Sequence, residues 1–300
     1  MAGTPQLAPG VVLVAVPGRG LAVRTAGGEF LRVDTGDTDP GALMALLSGR
    51  EAGGGTDTAR PAGGGADTAR LTAAFEKAGY AEPVPAVRPG RLAGRTVLLL
   101  GDPALTGPLE RFVRTEGGTA RAAEAAGIAA LSRGNGPRPA GPAAVVWCLG
   151  SPVPPGLWDE ADRLPRHGVA WLRCHREGAL VRLEPLADRA GDVTSAHVRL
   201  RRLAVTPAHP ELSASWDGGG TPDTGPPVTG AAAALIAALL TADLLAWAAG
   251  GTGRGPLPVR RRLREIDLRD LSVTERPVLP VPEVAPLLPV PPDPAPGNDT

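Results

Sequence analysis

The sequence predicts an α/β fold in two unlike units, and three observations predict it. Past residue 90, apolar runs of strand length alternate with helical patterns, which argues for a mostly parallel sheet covered by helices. Before residue 88, short strands come first and helices follow, an α+β order. Between the two stands AEPVPAVRPG (81–90), three prolines in ten residues, which reads as a linker and sets the boundary. The expected organisation is therefore a small unit over 1–88, an α/β unit over 91–283 and a tail over 284–300.

In the first unit VVLVAV (11–16) is a continuous apolar run, GLAVRTAGG (20–28) ends in a glycine turn, and EFLRVDTG (29–36) alternates, giving three short strands. Asp39-Pro40 opens a helix over GALMALLSG, with proline in the first turn and Gly49 at its end. GGGTDTARPA (53–62) and GGGADTARLT (63–72) are near duplicates without an apolar period, so a flexible loop is expected over 50–70. A phosphate cradle there would need the lysine of a P-loop, and the chain's only lysine is Lys77. DTARLTAAFEKAGY (67–80) then gives a helix with Leu71, Ala74, Phe75 and Ala78 on one face.

In the second unit RTVLLLG (95–101) is a strand, GPLERFVRTEGG (107–118) a helix and TARAAEAAG (119–127) a weak strand or helix. PAAVVWCLG (142–150) is a buried strand. PPGLWDEADRLPRHG (154–168) reads as an amphipathic helix with Leu157, Trp158, Ala161 and Leu164 on one side, and VAWLRC (169–174) as another strand. HREGALVRLEPL (175–186) predicts a hairpin about Glu177-Gly178, and DVTSAHVRLRRLAV (192–205) a helix capped by Asp192 or Thr194. A polar loop over 217–229 precedes GAAAALIAALLTADLLAWAAG (230–250). That run is long enough to cross a bilayer, yet Asp243 beyond its middle would be costly in lipid, so a buried helix of a soluble domain is expected. VRRRLREIDLRDLSVTERPVL (259–279) closes as an antiparallel pair about Arg269-Asp270, and the prolines from 280 on predict an extended, disordered tail.

Composition excludes more chemistry than it suggests. Basic and acidic side chains number 31 each, so nothing electrostatic points to nucleic acid or an anionic membrane as partner. Cys148 and Cys174, the only cysteines, form no CxxC pair and read as reduced core residues of a cytoplasmic protein; a closed zinc site would need four nitrogen or sulfur ligands. The four histidines form no HExxH. Cys174 and His175 are strand neighbours that point to opposite faces, an interior thiol and a surface imidazole. Gly150-Ser151-Pro152 is no nucleophile elbow. Asp159, Glu160 and Asp162 read as the wet side of a helix, as do Arg199, Arg201 and Arg202; Arg260, Arg261 and Arg262 read as solvated too. No catalytic or metal-binding residue is assigned.

One stretch asks for a ligand. VLLLGDPALTGPLERFV (97–113) runs from a strand through a glycine into a helix, as a nucleotide-binding βαβ unit does. A nucleotide loop wants closely spaced glycines, and here Gly101, Asp102 and Gly107 form a degenerate version. Pro103 and Pro108 remove backbone donors from it.

The order of these pieces resembles a family of partner proteins in azole- and thiopeptide-type peptide maturation. In that family a winged-helix-like recognition module precedes a degenerate, Rossmann-like ThiF-type (ubiquitin-activating-like) domain. The resemblance rests on 97–113, on AAVVWCLGSPVPPGLWDEADRLPRHGVAWLRC (143–174), on GALVRLEPLADRAGDVTSAHVRLRRLA (178–204), on ALIAALLTADLLAWAAG (234–250) and on LREIDLRDLSVTERPVLPVPEV (263–284). At the front, VDTGDTDPGALMALLSG (33–49) and LTAAFEKAGY (71–80) are similar to the recognition module. The resemblance implies a non-catalytic, cofactor-free scaffold that binds the leader of a precursor peptide and presents it to a YcaO-type cyclodehydratase. Dimerisation is common among ThiF-like domains. It further implies that the peptide adds as a strand along Phe30, Leu31, Arg32 and Val33, with Leu71, Phe75 and Tyr80 opposite. Members often hold a structural zinc on two CxxC pairs; here TSAH (194–197) and PVPEVAPL (280–287) stand at those places without cysteine. The alternatives are an ATP-dependent ThiF-like adenylating enzyme, for which GGTARAAEAAG (117–127) offers Glu124 but no Asp-x-Asp, and another Rossmann-type nucleotide-binding enzyme.

Overall fold

In the computed structural model, which describes residues 5–48, 65–83, 90–218, 220–251 and 256–282, the chain divides into two units, Met1–Arg88 and Pro89–Thr300. The first begins with β1 (Pro5–Leu7) and an antiparallel sheet of β2 (Val12–Val16), β3 (Gly20–Arg24) and β4 (Phe30–Val33), in that spatial order. α1 (Pro40–Leu47) starts where Asp39 accepts hydrogen bonds from the Gly41 and Ala42 amides and Pro40 supplies a pre-set first turn. It ends at Ser48; Gly49 lies outside the described residues. α2 (Gly65–Lys77) takes in 65–70, so the second glycine-rich copy is partly helix rather than loop, and 49–64 lie outside the described residues. The alanines of ADTARLTAA favour helix and outweigh the preceding glycines.

The expected linker is a strand at its start. β5 (Ala81–Pro83) pairs antiparallel with β1, Leu7 opposite Ala81, and the Ala8 amide donates to the Tyr80 carbonyl at 2.9 Å. Its partner lies some 75 residues away in sequence, so no local pattern announces the pairing. Leu13, Leu21 and Val23 from the sheet, Leu43 and Leu47 from α1, and Leu71 and Phe75 from α2 form one small core.

The second unit begins with β6 (Thr96–Gly101), α3 (Pro103–Thr115), β7 (Thr119–Ala122), α4 (Ala125–Ser132) and β8 (Ala143–Leu149). The hairpin of β9 (Val169–Glu177) and β10 (Leu180–Leu183) follows, then α5 (Ser195–Val205), α6 (His209–Trp216), α7 (Gly230–Ala248), β11 (Arg262–Asp267) and β12 (Val273–Pro277). The strands form one seven-stranded mixed sheet in the order β12-β11-β10-β9-β8-β6-β7; the four from β9 to β7 are parallel and the rest antiparallel.

Alternation along the parallel strands sorts their side chains onto two covered faces. Val97, Leu99, Ala144, Val146, Cys148, Leu172 and Cys174 meet Leu105, Leu109 and Val113 of α3 and Ile236, Leu240 and Leu244 of α7. Leu100, Val145, Trp147, Val169 and Trp171 meet Ile128 and Leu131 of α4 together with Trp158, Ala161 and Leu164. The segment carrying those last three is not an α-helix: turns lead into a 3-10 stretch, Ala161–His167. Pro165, inside the segment, withholds an amide that an α-helix would need, while the apolar side faces inward as expected. α6 was not foreseen, because HPELSASW has almost no apolar period.

α7 is long and apolar enough to cross a membrane by length and composition, with a mean hydropathy of 1.9. Here it packs on the sheet and α3, and Asp243 lies against Arg262 and Arg264 of β11 at 2.6 Å each. These arginines read as solvated or unassigned in the sequence, yet both are buried. They lie on the same β11 face as Ile266, the face α7 covers.

Candidate functional site

The crevice where an open α/β sheet takes its ligand lies between β6 and β8, whose connections leave in opposite directions. Gly101 ends β6 at φ +103°, and a Cβ there would collide with the Cys148 carbonyl of β8. Its glycine is thus demanded by close strand packing, with no phosphate needed to explain it. The Asp102 amide donates to the same Cys148 carbonyl at 2.8 Å. Asp102 Oδ1 accepts the Ala104 amide at 2.9 Å, and the Asp102 carbonyl accepts the amides of Leu105 and Thr106 at 3.0 and 2.9 Å. Pro103 has no amide. Every backbone donor of α3's first turn is therefore missing or engaged, and these are the donors a phosphate would need. The other Asp102 oxygen lies where a Cβ on Gly150 would stand, so the carboxylate also fills the mouth of the crevice. Gly107 is inside α3 and belongs to no loop; the helix starts four residues earlier than its sequence suggests because Asp102 caps it and Pro103 initiates it. Glu124, exposed just beyond β7, makes no capping bond. The residues present do not fit a nucleotide phosphate at this turn.

On the opposite face of the sheet the post-β8 loop, β9, α5 and α6 enclose a polar network that sequence reasoning missed. His175 is 2% exposed, not a surface residue, because α5 and the loop cover that face. Its Nε2 lies 3.4 Å from Glu177 and its Nδ1 3.7 Å from Glu184. Glu177 accepts from Arg202 at 2.8 and 2.6 Å, from Arg182 at 2.6 Å and from the Trp216 indole at 3.0 Å. Burial pushes this carboxyl up, but the bonds from His175 and Arg202 and the charge of Arg182 prevail and hold it well below the usual range. Glu184 goes the other way: burial raises it despite Arg173 and His175.

Asp162 is likewise not on a wet helix side. It accepts from the Trp171 indole at 3.0 Å, from Arg173 at 3.1 Å, and from the Ser195 amide and hydroxyl at 2.9 and 2.5 Å. Three of the arginines expected in solvent are engaged by carboxylates: Arg202 with Glu177, Arg260 with Asp188 at 2.5 and 2.7 Å, Arg262 with Asp243. Arg201 holds the carbonyls of Leu279 and Pro280 at 3.3 and 3.2 Å.

Among the described residues no group of three or more His, Cys, Asp and Glu side chains could hold a metal ion. Thr194 and His197 form a reciprocal capping box at the start of α5, the Thr194 amide donating to His197 Nδ1 at 3.3 Å and the His197 amide to the Thr194 hydroxyl at 3.2 Å. Val193, Val198, Leu263 and Val278 cluster beside it. Apolar packing joins the N-terminus of α5 to the end of the sheet at this place. Cys148 and Cys174 are both free and buried in register on neighbouring strands.

In the first unit β4 is the edge of its sheet. The Thr25 amide donates to the Glu29 carbonyl at 2.8 Å, and Leu31 pairs with Val23. Antiparallel alternation from that bond turns the backbone groups of Leu31 and Val33 toward β3 and those of Phe30 and Arg32 toward the open side. Leu31 shares the core-facing side with Val33 yet is 41% exposed, and Phe30 on the other face is 64% exposed. Leu71 and Phe75 are buried in the small core, with Val33 and Tyr80 packed at its margin. Of the seven residues expected to touch a peptide, Phe30, Leu31 and Arg32 are thus accessible; Leu71 and Phe75 fill the core.

No family profile matches the chain, and no curated protein does. Among solved structures it is similar to the heterocyclase TruD, with 12% identity over 92% of this chain and a TM-score of 0.61. It is also similar to a heterocyclase in complex with substrate and cofactor, with 10% identity over 92% and a TM-score of 0.60. The chain spans 42% and 38% of those two proteins. Escherichia coli MccB is similar at 10% identity and a TM-score of 0.52, over 93% of this chain and 95% of that one. At these identities the likeness is one of fold: this chain has the mixed α/β architecture of heterocyclase and MccB structures.

Proposed function

We propose that the chain is a non-catalytic scaffold in azole-type maturation of a ribosomally made peptide. Its first unit, a winged-helix-like module, takes the precursor's leader as an added strand on β4. Its second, a degenerate Rossmann-like ThiF-type domain, docks a YcaO-type cyclodehydratase in the cytoplasm. A held leader raises the effective concentration of the peptide's reacting part at the partner's site, to the millimolar range for short flexible tethers.

The observation that carries this reading is the first turn of α3. Its donors are all satisfied by Asp102 or absent at Pro103, in a fold whose solved relatives include heterocyclases. Such a turn favours a scaffold role over phosphate binding at this position. The open edge of β4 with its accessible Phe30 and Leu31 supports the peptide half of the reading.

Fluorescence polarisation of a labelled cognate leader against the full chain tests it. Saturable binding at micromolar protein is expected, and its absence would remove the peptide-capture reading. Release of pyrophosphate or phosphate from ATP by the purified chain would favour an adenylating enzyme instead.

A further inference from the structure

The small sheet of the first unit is apolar on both faces, and its core accounts for only one of them. Leu13, Leu21 and Val23 point into the core, so alternation turns their strand neighbours to the opposite face. There the register sets Val12 beside Arg24 and Phe30 in one row, and Val14 beside Ala22 and Arg32 in the next. None of these six belongs to the core. Val12 is 43% exposed and Phe30 64%, Val14 and Ala22 are half-buried, and both arginines are exposed. An antiparallel sheet with one wet face alternates apolar with polar residues, yet Val12-Leu13-Val14 in β2 is apolar on both sides.

The charge on this face is uncompensated. Arg24 and Arg32 stand diagonally across the β3–β4 pair, about 7–8 Å apart by strand geometry. Neither has a carboxylate partner among the described residues; Arg32 reaches only the Arg19 carbonyl, at 3.4 Å. The three strands carry no acidic side chain at all. The result is an apolar patch set with two positive charges and no negative one.

Size and chemistry together select an occupant. By strand spacing the face measures about 10 by 17 Å. That is the footprint of one helix of about three turns, and far short of the roughly 800 Å² per partner with which whole domains dock. A free inorganic anion would engage the guanidinium groups and leave Val12, Val14 and Phe30 in water. Lipid headgroups are held by clusters of about four to eight cations, and two arginines, with Arg19 in the adjoining turn as a third, are too few. An added strand pairs at an edge, not on a face. An amphipathic helix meets every requirement. Its apolar stripe covers the valines and Phe30, and carboxylates four residues apart on the border of that stripe, about 6 Å from each other, come within reach of both guanidinium groups.

We propose that the outer face of the β2–β3–β4 sheet is a docking surface for an acidic amphipathic helix of a partner protein. Val12, Val14 and Phe30 take its apolar stripe, and Arg24 and Arg32 take two of its carboxylates. This surface is the face of the sheet and not its β4 edge, so it goes beyond leader capture and does not depend on it.

The test is selection of a phage-displayed library of helical 14-residue peptides on the immobilised full chain, followed by fluorescence polarisation of the enriched peptides. Arg24→Glu and Val14→Asp alter this face and leave the backbone of β4 alone. Arg24→Glu, at an exposed position, serves alone if Val14→Asp does not fold. The expected result is enrichment of peptides with carboxylates four residues apart beside an apolar stripe. Their affinity should fall at least tenfold against either variant, and lysine in place of glutamate in the peptide should restore binding to Arg24→Glu. Enrichment without that acidic spacing, affinity indifferent to the variants, or no enrichment would each overturn the proposal. So would sedimentation of the chain with phosphatidylserine vesicles, or its self-association without peptide, if Arg24→Glu abolished either one.

Discussion

Asp102 turns its carboxylate onto its own helix, and that single choice decides what the α3 turn can do. Replacing it with alanine removes the N-cap, and about 1 kcal/mol of stability should go with it, read from urea midpoints. No nucleotide affinity should appear, because Pro103 still lacks an amide and the carbonyl of residue 102 still holds the Leu105 and Thr106 amides, so only the Ala104 amide is freed. Arg32 allows a complementary experiment. Its backbone faces the open side of β4, so Arg32→Pro deletes a donor that a guest strand would use while leaving the bonds to β3 in place. Leader binding should weaken at least tenfold, with the urea midpoint close to that of the parent; unchanged binding would argue against strand addition. Part of this was legible beforehand. The poverty of 101–107 in glycine is a matter of residue type, and Phe30 to Val33 alternate visibly. The burial of His175 was not, since a strand's polar residue looks the same whether water or a helix lies above it.

Single carboxylates tie whole elements together in the second unit. Asp243 fastens α7 to β11 through Arg262 and Arg264, all three buried. Asp243→Asn would leave Arg262 and Arg264 with only the partly exposed Glu275 as counter-charge, and a loss of about 3 kcal/mol is expected in chemical denaturation. Glu177 joins β9 to β10, α5 and α6. Its folded carboxyl lies well below the ordinary 4.5, so the unfolded chain takes up the proton first as the solution is acidified. The stability it contributes is complete above pH 4.5 and drains away as pH falls below that value. Glu177→Gln should flatten this acid limb between neutral pH and about pH 3, and a parent-like limb would contradict the assignment. Elements with their own period, such as β6, β8, α5 and α7, could be read from the chain. The 3-10 stretch after β8, α6 and the β1–β5 pair could not, because prolines, a weak period and a distant partner carry no local signal.

At the scale of the whole molecule, the alternation of strands and helices past residue 90 encoded the parallel half of the large sheet, and the hairpin and closing pair its antiparallel half. What lay beyond the sequence was which faces are covered on both sides, and with it the enclosed polar network between β9 and α5. The account makes the first unit the place of peptide recognition and denies the α3 turn to nucleotides. Amide hydrogen exchange on the full chain tests both together, with leader peptide or magnesium-ATP added in turn. Slowed exchange over 30–33 with leader, and none over 101–106 with ATP, is the predicted outcome. Protection of 101–106 by ATP, with 30–33 indifferent to leader, would contradict it.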